Sequence, residues 1–515
     1  MIKTIVKANN YLDSIFLMKA SKEVKELDGI SKSVVVMGSD MNKTILADFG
    51  GLTDEAKAAT PNDLVISVES DDPTAAERAV EAVMNMMTAK SDGAKEEQKK
   101  TYASLSAAMD AMPDSNLVTI SLPSAYAAME AKYALQKGKN VFIFSDLTED
   151  EEIMLKNLGA EKNLLVMGPG AGTAVIDGVS IGLMSGLRRG NIGIVGASGS
   201  GLQEVAVLVH QYGKGVSQAI GTGGRDLSQR VGGSMMLRGM DFLAEDPETD
   251  VIVLVSKPPH PDTMAKIFEK IKTIDKPVVV FFLGGDANAI RQAGGYAPVT
   301  LEEAAKMAVA LADGKKPGVV DYVAEQKNAL APAVAEQKKR LLPTQKYFRG
   351  LFCGGTHSEE AVTLMQSFVS NMHSNIKFGK VDLLEDRLVS LENSLVDMGD
   401  EIFTAGKPHP VIDCSILIDR LLQEGRDPEV GVILFDIIIG FGCDADPCGV
   451  LAPTIKQIQE EAKAAGRDIV FVSSVCGTDL DPQGFEAQKK KLRDLGVVVC
   501  DSNSQAALFA GMMVC

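Results

Sequence analysis

The stretch GNIGIVGASGSGLQEVAVLVHQ, residues 190–211, places an apolar run, a turn of small residues and a helical pattern in immediate succession. The run NIGIVG (191–196) reads as a strand, and GLQEVAVLVHQYG (201–213) as a helix. A strand that enters a glycine turn and leaves as a helix is the repeating unit of a parallel sheet. Gly196, Gly199 and Gly201 let the backbone turn tightly, and Ser198 and Ser200 add hydroxyl donors on either side of Gly199. Main-chain N–H groups at a helix start, helped by the helix dipole, favour an anion. The anion-binding candidates are therefore Gly196, Ala197, Ser198, Gly199, Ser200 and Gly201. The alternative is a tight turn with nothing bound.

The same grammar extends in both directions. Residues 116–189 alternate strand and helix patterns and read as a Rossmann-like domain of CoA-binding type. In residues 190–312 the runs VIVLVS (251–256) and PVVVFFLGG (277–285) are apolar throughout, as strands buried on both faces should be. Residues 346–515 repeat that segment. GGTHSEEAVTLMQ (354–366) parallels GSGLQEVAVLVHQ (199–211), and DPEVGVILFD (427–436) parallels DPETDVIVLVS (246–256). A duplicated flavodoxin-like unit is the simplest account, with an insert around 368–410 in the second copy. Residues 313–345, charged and interrupted by Pro332, read as a helical linker. Residues 1–115 form an α/β N-terminal segment that ends near the charged tract SDGAKEEQKK (91–100), read as a solvated link. The expected fold is α/β, with one Rossmann-like CoA-binding-type domain and two flavodoxin-like ligase-type domains behind the N-terminal segment.

Bulk properties narrow the function. A chain of 515 residues exceeds one hydrophobic core, so several domains are expected. The net charge of −17 argues against a nucleic-acid partner, whose phosphates need a basic surface. No run of about 18 apolar residues suggests a membrane span, and the opening residues lack the pattern of a signal peptide. A cytoplasmic protein is expected. All seven cysteines lie at or after Cys353 and are expected to be reduced. Cys443 and Cys448 flank DADP, where the readings are buried small side chains or a reactive thiol. No metal site is expected, because His and Cys do not cluster along the chain.

Further loops supply candidates. GTGGRDLSQRVGG (221–233) carries Gly223 and Gly224 ahead of Arg225 and Asp226. Arg225 offers a planar fork of donors to a phosphate or carboxylate. The competing reading is a structural Arg–Asp pair, or Asp226 as a helix cap. Lys257 in VSKPPH (255–260) ends a buried strand and faces the crevice where open α/β sheets bind ligands. His260, beyond two prolines, reads as solvated. The turn MGPGAGTAVIDG (167–178), with Gly168 and Thr173, suits a nucleotide-like or acyl-carrier ligand. GGTH (354–357) duplicates the first glycine loop with Gly354, Gly355, Thr356 and His357. A helix start should disfavour protonation of His357 and set it beside a bound anion, unless it serves only as a cap.

MGPGAGTAVI, GNIGIVGASGSGLQE, AIGTGGRDLS, EDPETDVIVLVSKPP and KPVVVFFLGG together resemble the succinyl-CoA synthetase α-subunit layout, in which a CoA-binding domain leads into a flavodoxin-like ligase domain. The resemblance to the FdrA family, carried by VGASGSG, GGRDLS, SKPP and the opening YLDSIFLM, spans essentially the whole chain. Two departures from acyl-CoA synthetases stand out. Where their α subunits carry an active-site histidine in a GHAGA-like string, this chain reads RQAGGYAPVT (291–300), with Gly295 and Tyr296 at that place. A tyrosine phenol is un-ionised near neutral pH and is a poor phosphoryl carrier. The family's first CoA loop also has no counterpart in residues 1–50, where MGSDMN (37–42) is a poor match.

The FdrA resemblance implies a subunit of oxamate carbamoyltransferase, which converts oxalurate and phosphate to oxamate and carbamoyl phosphate in allantoin and purine breakdown. It implies two other carbamoyltransferase subunits in an oligomeric complex. Inorganic phosphate and carbamoyl phosphate would be the substrates, with CoA as a candidate ligand. Arg225 and Lys257 are then the expected catalytic residues, offsetting charge on phosphate or carboxylate. The alternatives are an ADP- or GDP-forming acyl-CoA ligase with a carrier other than histidine, and a non-catalytic scaffold subunit.

Overall fold

A computed structural model describes residues 1–515 except 1, 11, 13, 26, 73, 93–99, 319 and 406. The charged tract expected as a link thus lies largely outside the described residues. The chain divides into two compact units, residues 1–104 with 405–408, and residues 105–404 with 409–515.

The first unit holds a three-stranded antiparallel sheet in which Leu64–Ser70 pairs with Ile2–Lys7 on one side and Ile30–Met37 on the other. Leu64, Ile66 and Val68 alternate along the central strand and share one core with Phe16, Leu17, Ala20 and Val24 of the Ser14–Lys25 helix and with Ala75, Ala79 and Val83 of the Ala75–Asp92 helix. That period of two is what buries one face of the sheet.

The second unit contains three sheets. The smallest is parallel, with strands Leu117–Ile120, Asn140–Ile143 and Val166–Met167. The Glu149–Glu161 helix between the last two strands opens on a reciprocal cap, in which Thr148 and Glu151 satisfy each other's backbone N–H.

In the next sheet Arg189–Gly196 lies between Val216–Gly221 and Val251–Ser256, with Val278–Phe282 outside the latter, all parallel. Read from the second strand this is the order 2-1-3-4, as expected for a flavodoxin-like unit. The hairpin Thr173–Ile176 and Val179–Gly182 continues this sheet by antiparallel pairing to Val216–Gly221. The boundary expected between 189 and 190 therefore runs through a sheet. The hairpin satisfies the exposed edge of Val216–Gly221 and buries Ala174 and Val175.

The third sheet has seven strands, all parallel. Tyr347–Phe352 lies between Asn393–Asp397 and Val430–Ile438, followed outward by Val470–Cys476 and Val498–Cys500, the order 2-1-3-4-5. The region expected as an insert supplies Asn393–Asp397 and two short strands beyond it, Met372–Ser374 and Asp382–Leu383. All nine residues of Val430–Ile438 are buried, Asp436 being the one charged residue among them, as a strand covered on both faces requires.

One core joins the two duplicated sheets. Leu202, Val205 and Val209 of the Gly199–Gln211 helix belong to the same cluster as Leu351, Phe435, Ile437 and Cys476 of the seven-stranded sheet. The linker helix Tyr322–Lys338 packs through Val334 against Ala506, Ala507 and Ala510 of the Asn503–Met513 helix. Among the described residues no helix is long and apolar enough to cross a membrane.

Candidate functional site

Two helix starts meet in the second unit. The Gly199–Gln211 helix follows the strand ending at Gly196, and the Gly355–Met365 helix follows the strand ending at Phe352. In both sheets the order of strands reverses beside that first strand, which is where a crevice opens at the carboxyl ends. Ser198 caps its helix by accepting from Gly201 N at 3.0 Å, and its hydroxyl lies 2.5 Å from the Thr356 hydroxyl of the other helix. Thr356 N donates to Ser200 Oγ at 3.3 Å. The first N–H groups of a helix have no acceptor within it. Here Gly201 and Thr356 are taken by serine oxygens, and among the described residues no acceptor takes the amides of Gly199, Ser200 and Gly355, at the place where both dipoles converge.

The starts fit together because Gly354 has no side chain. A Cβ there would stand 2.9 Å from Ser200 Cβ and 3.0 Å from His357 Nδ1. The carboxylate of Asp436, near the end of its strand, fixes this turn, accepting from Cys353 N at 2.6 Å and Gly354 N at 3.0 Å.

A cleft of about 220 Å³ opens at the paired starts. Ala197, Ser198, Gly199 and Ser200 line it from one helix, Gly355 and Thr356 from the other. Gly170, Ala171, Gly172 and Thr173 form a third wall, and Gly196, Gly221, Gly223 and Gly224 the floor. Gly223 lies at φ 88°, and a Cβ there would meet the Pro169 carbonyl at 2.6 Å, so the wall and floor touch backbone to backbone. Gly168 and Gly201 sit just behind the lining. Sequence reasoning thus finds four glycine loops, and the fold brings all four to one cleft.

Lys257 is the cation on the lining. It follows the buried strand Val251–Ser256, and its Nζ bonds Glu359 Oε1 at 2.7 Å while half of the side chain stays exposed. Burial pushes the Glu359 carboxyl up, and Lys257 opposes that rise. Asp397, at the end of Asn393–Asp397, lies beside the same helix start. A Cβ on Gly355 would stand 2.7 Å from its Oδ2. Burial pushes Asp397 up to about 7, against the Gly399 N–H bond and the Lys257 charge.

Other expected residues stand elsewhere. Arg225 is outside the lining. Its Nε bonds Glu152 Oε2 at 2.9 Å and a terminal nitrogen bonds the Leu147 carbonyl at 2.6 Å. Asp226 is fully buried, 2.9 Å from Lys156 Nζ, and accepts from Met235 N and Met236 N at the start of the Ser234–Glu245 helix. It is a cap and a buried ion partner, and it does not pair with Arg225. His260 caps the Pro261–Ile271 helix by accepting from Asp262 N at 3.3 Å. Tyr296 exchanges backbone hydrogen bonds with Val278 and Val280 at the sheet edge, outside the lining.

His357 corrects its expectation in two ways. It points away from the cleft and is wholly buried, with Nδ1 2.8 Å from Asp436 Oδ2. Burial by itself lowers its pKa. The Asp436 bond and the Glu204 and Glu360 carboxylates outweigh burial and lift it to about 9. The negative neighbours, all distant in sequence except Glu360, override the effect of the helix start. Sequence reasoning did not single out Asp397, Glu359 or Asp436. Their one signal is position, since Asp397 closes a parallel strand, Asp436 lies near the end of one, and Glu359 repeats the offset of Glu204.

The cysteines form no disulfide. Burial pushes the Cys443 and Cys448 thiols up to about 12, which favours the reading of inert small side chains over a reactive loop.

Three family models match parts of the chain. The one described as AllF, heavy metal-associated domain matches residues 1–103, CoA binding domain matches 188–284, and CoA-ligase matches 351–513. The CoA-binding match covers the four parallel strands of the six-stranded sheet. Residues 1–103 contain neither cysteine nor histidine. YahF of Escherichia coli (strain K12) is 40% identical over all of this chain and 99% of its own. The succinate–CoA ligase [ADP-forming] α subunit of Aquifex aeolicus is 29% identical over 33% of this chain and 56% of its own. The solved structure of PH0766 from Pyrococcus horikoshii OT3 aligns with 81% of this chain and 87% of its own at 14% identity and TM-score 0.35, too weak a likeness to build on. The CoA-binding and CoA-ligase matches and the ligase relative overturn the carbamoyltransferase expectation and point to a CoA-ligase-type function in its place.

Proposed function

This chain belongs to the same family as Escherichia coli YahF, and from that premise we propose that it is a CoA-ligase-type enzyme whose cleft holds the phosphate of an acyl phosphate. One observation carries the reading: two helix starts, linked by Ser198 and Thr356, converge on one glycine-lined cleft with a lysine at its rim. Two sets of free amides and two dipoles suit a multiply charged oxyanion, and Lys257 offsets its charge.

The cleft fits the reacting end of such substrates. A Cβ at Gly172 or Gly224 would meet nothing within 4 Å, so open space reaches the backbone there. A volume of about 220 Å³ accommodates phosphate and a short acyl group rather than a whole CoA molecule. In the three-stranded sheet the first strand, Leu117–Ile120, runs into Ser121-Leu122-Pro123-Ser124 without a glycine, and so offers no tight turn for a diphosphate. CoA would enter by its thiol. The sulfur bonds the acyl carbon, the carbon–oxygen bond to phosphate breaks, and phosphate stays on the helix starts. Asp397, which stands beside Gly355 of the lining and is raised to about 7 by burial, is the carboxylate we assign to accept the thiol proton.

None of the five histidines lines the cleft, and Tyr296 lies away from it. The reading therefore assigns direct transfer between acyl phosphate and thiol, with no phosphorylated histidine. The test supplies the full chain with CoA and a panel of short acyl phosphates, and measures thioester and phosphate release. Turnover is expected, and Lys257→Ala should lower it at least tenfold with weaker phosphate inhibition. Failure of CoA and phosphate alike to bind in calorimetry, with no thioester formed, would remove the reading.

A further inference from the structure

A second cluster lies behind the paired helix starts, and the proposed acyl transfer does not use it. His357 Nε2 is buried and has no hydrogen-bond partner. It faces Glu204 Oε2 at 3.7 Å. Ligand atoms of Glu204, His357 and Cys476 all lie within 4.8 Å of one another, and all three residues are buried. They come from three elements: Glu204 from the Gly199–Gln211 helix, His357 from the Gly355–Met365 helix, and Cys476 from the end of the Val470–Cys476 strand.

We propose that Glu204, His357 and Cys476 bind one divalent transition-metal ion of the zinc class, which ties the two helix starts to the seven-stranded sheet.

The surroundings fit a cation in three respects. First, the imidazole is already oriented for the task. Nδ1 is held by Asp436, itself fixed by two backbone amides, and Nε2 is aimed at the other two ligands. A carboxylate on the far nitrogen of a metal-bound histidine is the usual support. Second, Glu204 keeps one oxygen for the backbone, with Oε1 accepting from Asn503 N at 3.1 Å, and turns the other toward His357. Third, the site is rich in acidic side chains. The carboxyls of Asp436, Glu204 and Glu360 surround one imidazole, and among the described residues no lysine or arginine pairs with any of them.

The distances are compatible. Bonds of about 2.0–2.3 Å to nitrogen, oxygen and sulfur place tetrahedral ligands roughly 3.5 Å apart. The His357–Glu204 pair, at 3.7 Å, is already near that value, and the thiol, within 4.8 Å of both, has at most about 1.3 Å to close. One imidazole, one carboxylate and one thiolate make a donor set that suits zinc. The three protein ligands leave a fourth position for water. Binding displaces the thiol proton.

The experiment uses the full chain. Elemental analysis after growth with zinc and exhaustive dialysis should find about one equivalent retained. X-ray absorption at the zinc edge should show a single sulfur among light-atom neighbours. The chelated, refilled protein should take up cobalt with a thiolate charge-transfer band. Cys476→Ser should lose that band while its circular dichroism is unchanged. Absence of retained zinc with no cobalt uptake by the folded chain overturns the proposal. So does a sulfur-free or multi-sulfur shell in the unaltered protein, a measurement that holds even if the variant fails to fold. A band that persists in Cys476→Ser places the ion elsewhere and overturns it equally.

Discussion

At the cleft, Lys257 and Asp397 illustrate what burial does to two charges near one helix start. Lysine keeps half its side chain in water, whereas aspartate is enclosed and its charged form is disfavoured. The consequence for stability has a definite sign. The folded value near 7 lies above the ordinary value of about 3.9, so the folded state takes up a proton that the unfolded chain releases. Stability from this group is full below pH about 4 and falls until pH about 7. Asp397→Asn, uncharged throughout, should therefore melt with the parent chain at acid pH and above it at pH 8. The gap should open across that window in a series of thermal melts, and a constant gap would contradict the burial of Asp397. Lys257 was legible because it follows an apolar strand at the ligand-binding edge. Arg225 looked equally suitable in sequence, next to a glycine pair. Its partners, Glu152 in a helix and the Leu147 carbonyl just before it, lie more than seventy residues earlier and turn it into a tie between layers.

At the scale of elements, strand, glycine turn and helix were all readable, since each has its own period and punctuation. The capping of each start was not. The first helix has a serine cap that also bonds across to Thr356, while the second has glycine at the same place and leans on Asp436. Ser198→Ala removes both the cap and the cross-link. A lost serine cap costs about 1 kcal/mol, and denaturant titration should show a loss of at least that size. The same variant should bind phosphate more weakly, because the starts are no longer held at one spacing. Gly354→Ala should be worse tolerated than either, because its methyl must displace Ser200 or His357.

For the whole molecule, the tie between the three-stranded sheet and its six-stranded neighbour is a buried ion cluster. Lys156 bonds Glu152 at 2.8 Å, Asp226 at 2.9 Å and the Thr222 carbonyl at 2.9 Å, with all three charged side chains inaccessible. Lys156→Met leaves buried Asp226 without its cation and Glu152 with Arg225 alone, a loss of about 3–5 kcal/mol. Chemical denaturation should show that drop, and an early transition of the 105–170 region in hydrogen exchange. In sequence, TEDEEIMLKNLG (148–159) looks like a charged, solvated helix, and nothing local says that Glu152 and Lys156 are inside. By itself the sequence determined the α/β class, the duplication, the parallel sheets and the glycine loops, because periodicity and turn chemistry act over a few neighbouring residues. Only the tertiary structure decided that four loops share one cleft, that His357 faces inward to Glu204 and Cys476, and that the 173–182 hairpin completes a foreign sheet edge. Those outcomes depend on pairings between residues up to hundreds of positions apart, and on the low-dielectric interior that they create together.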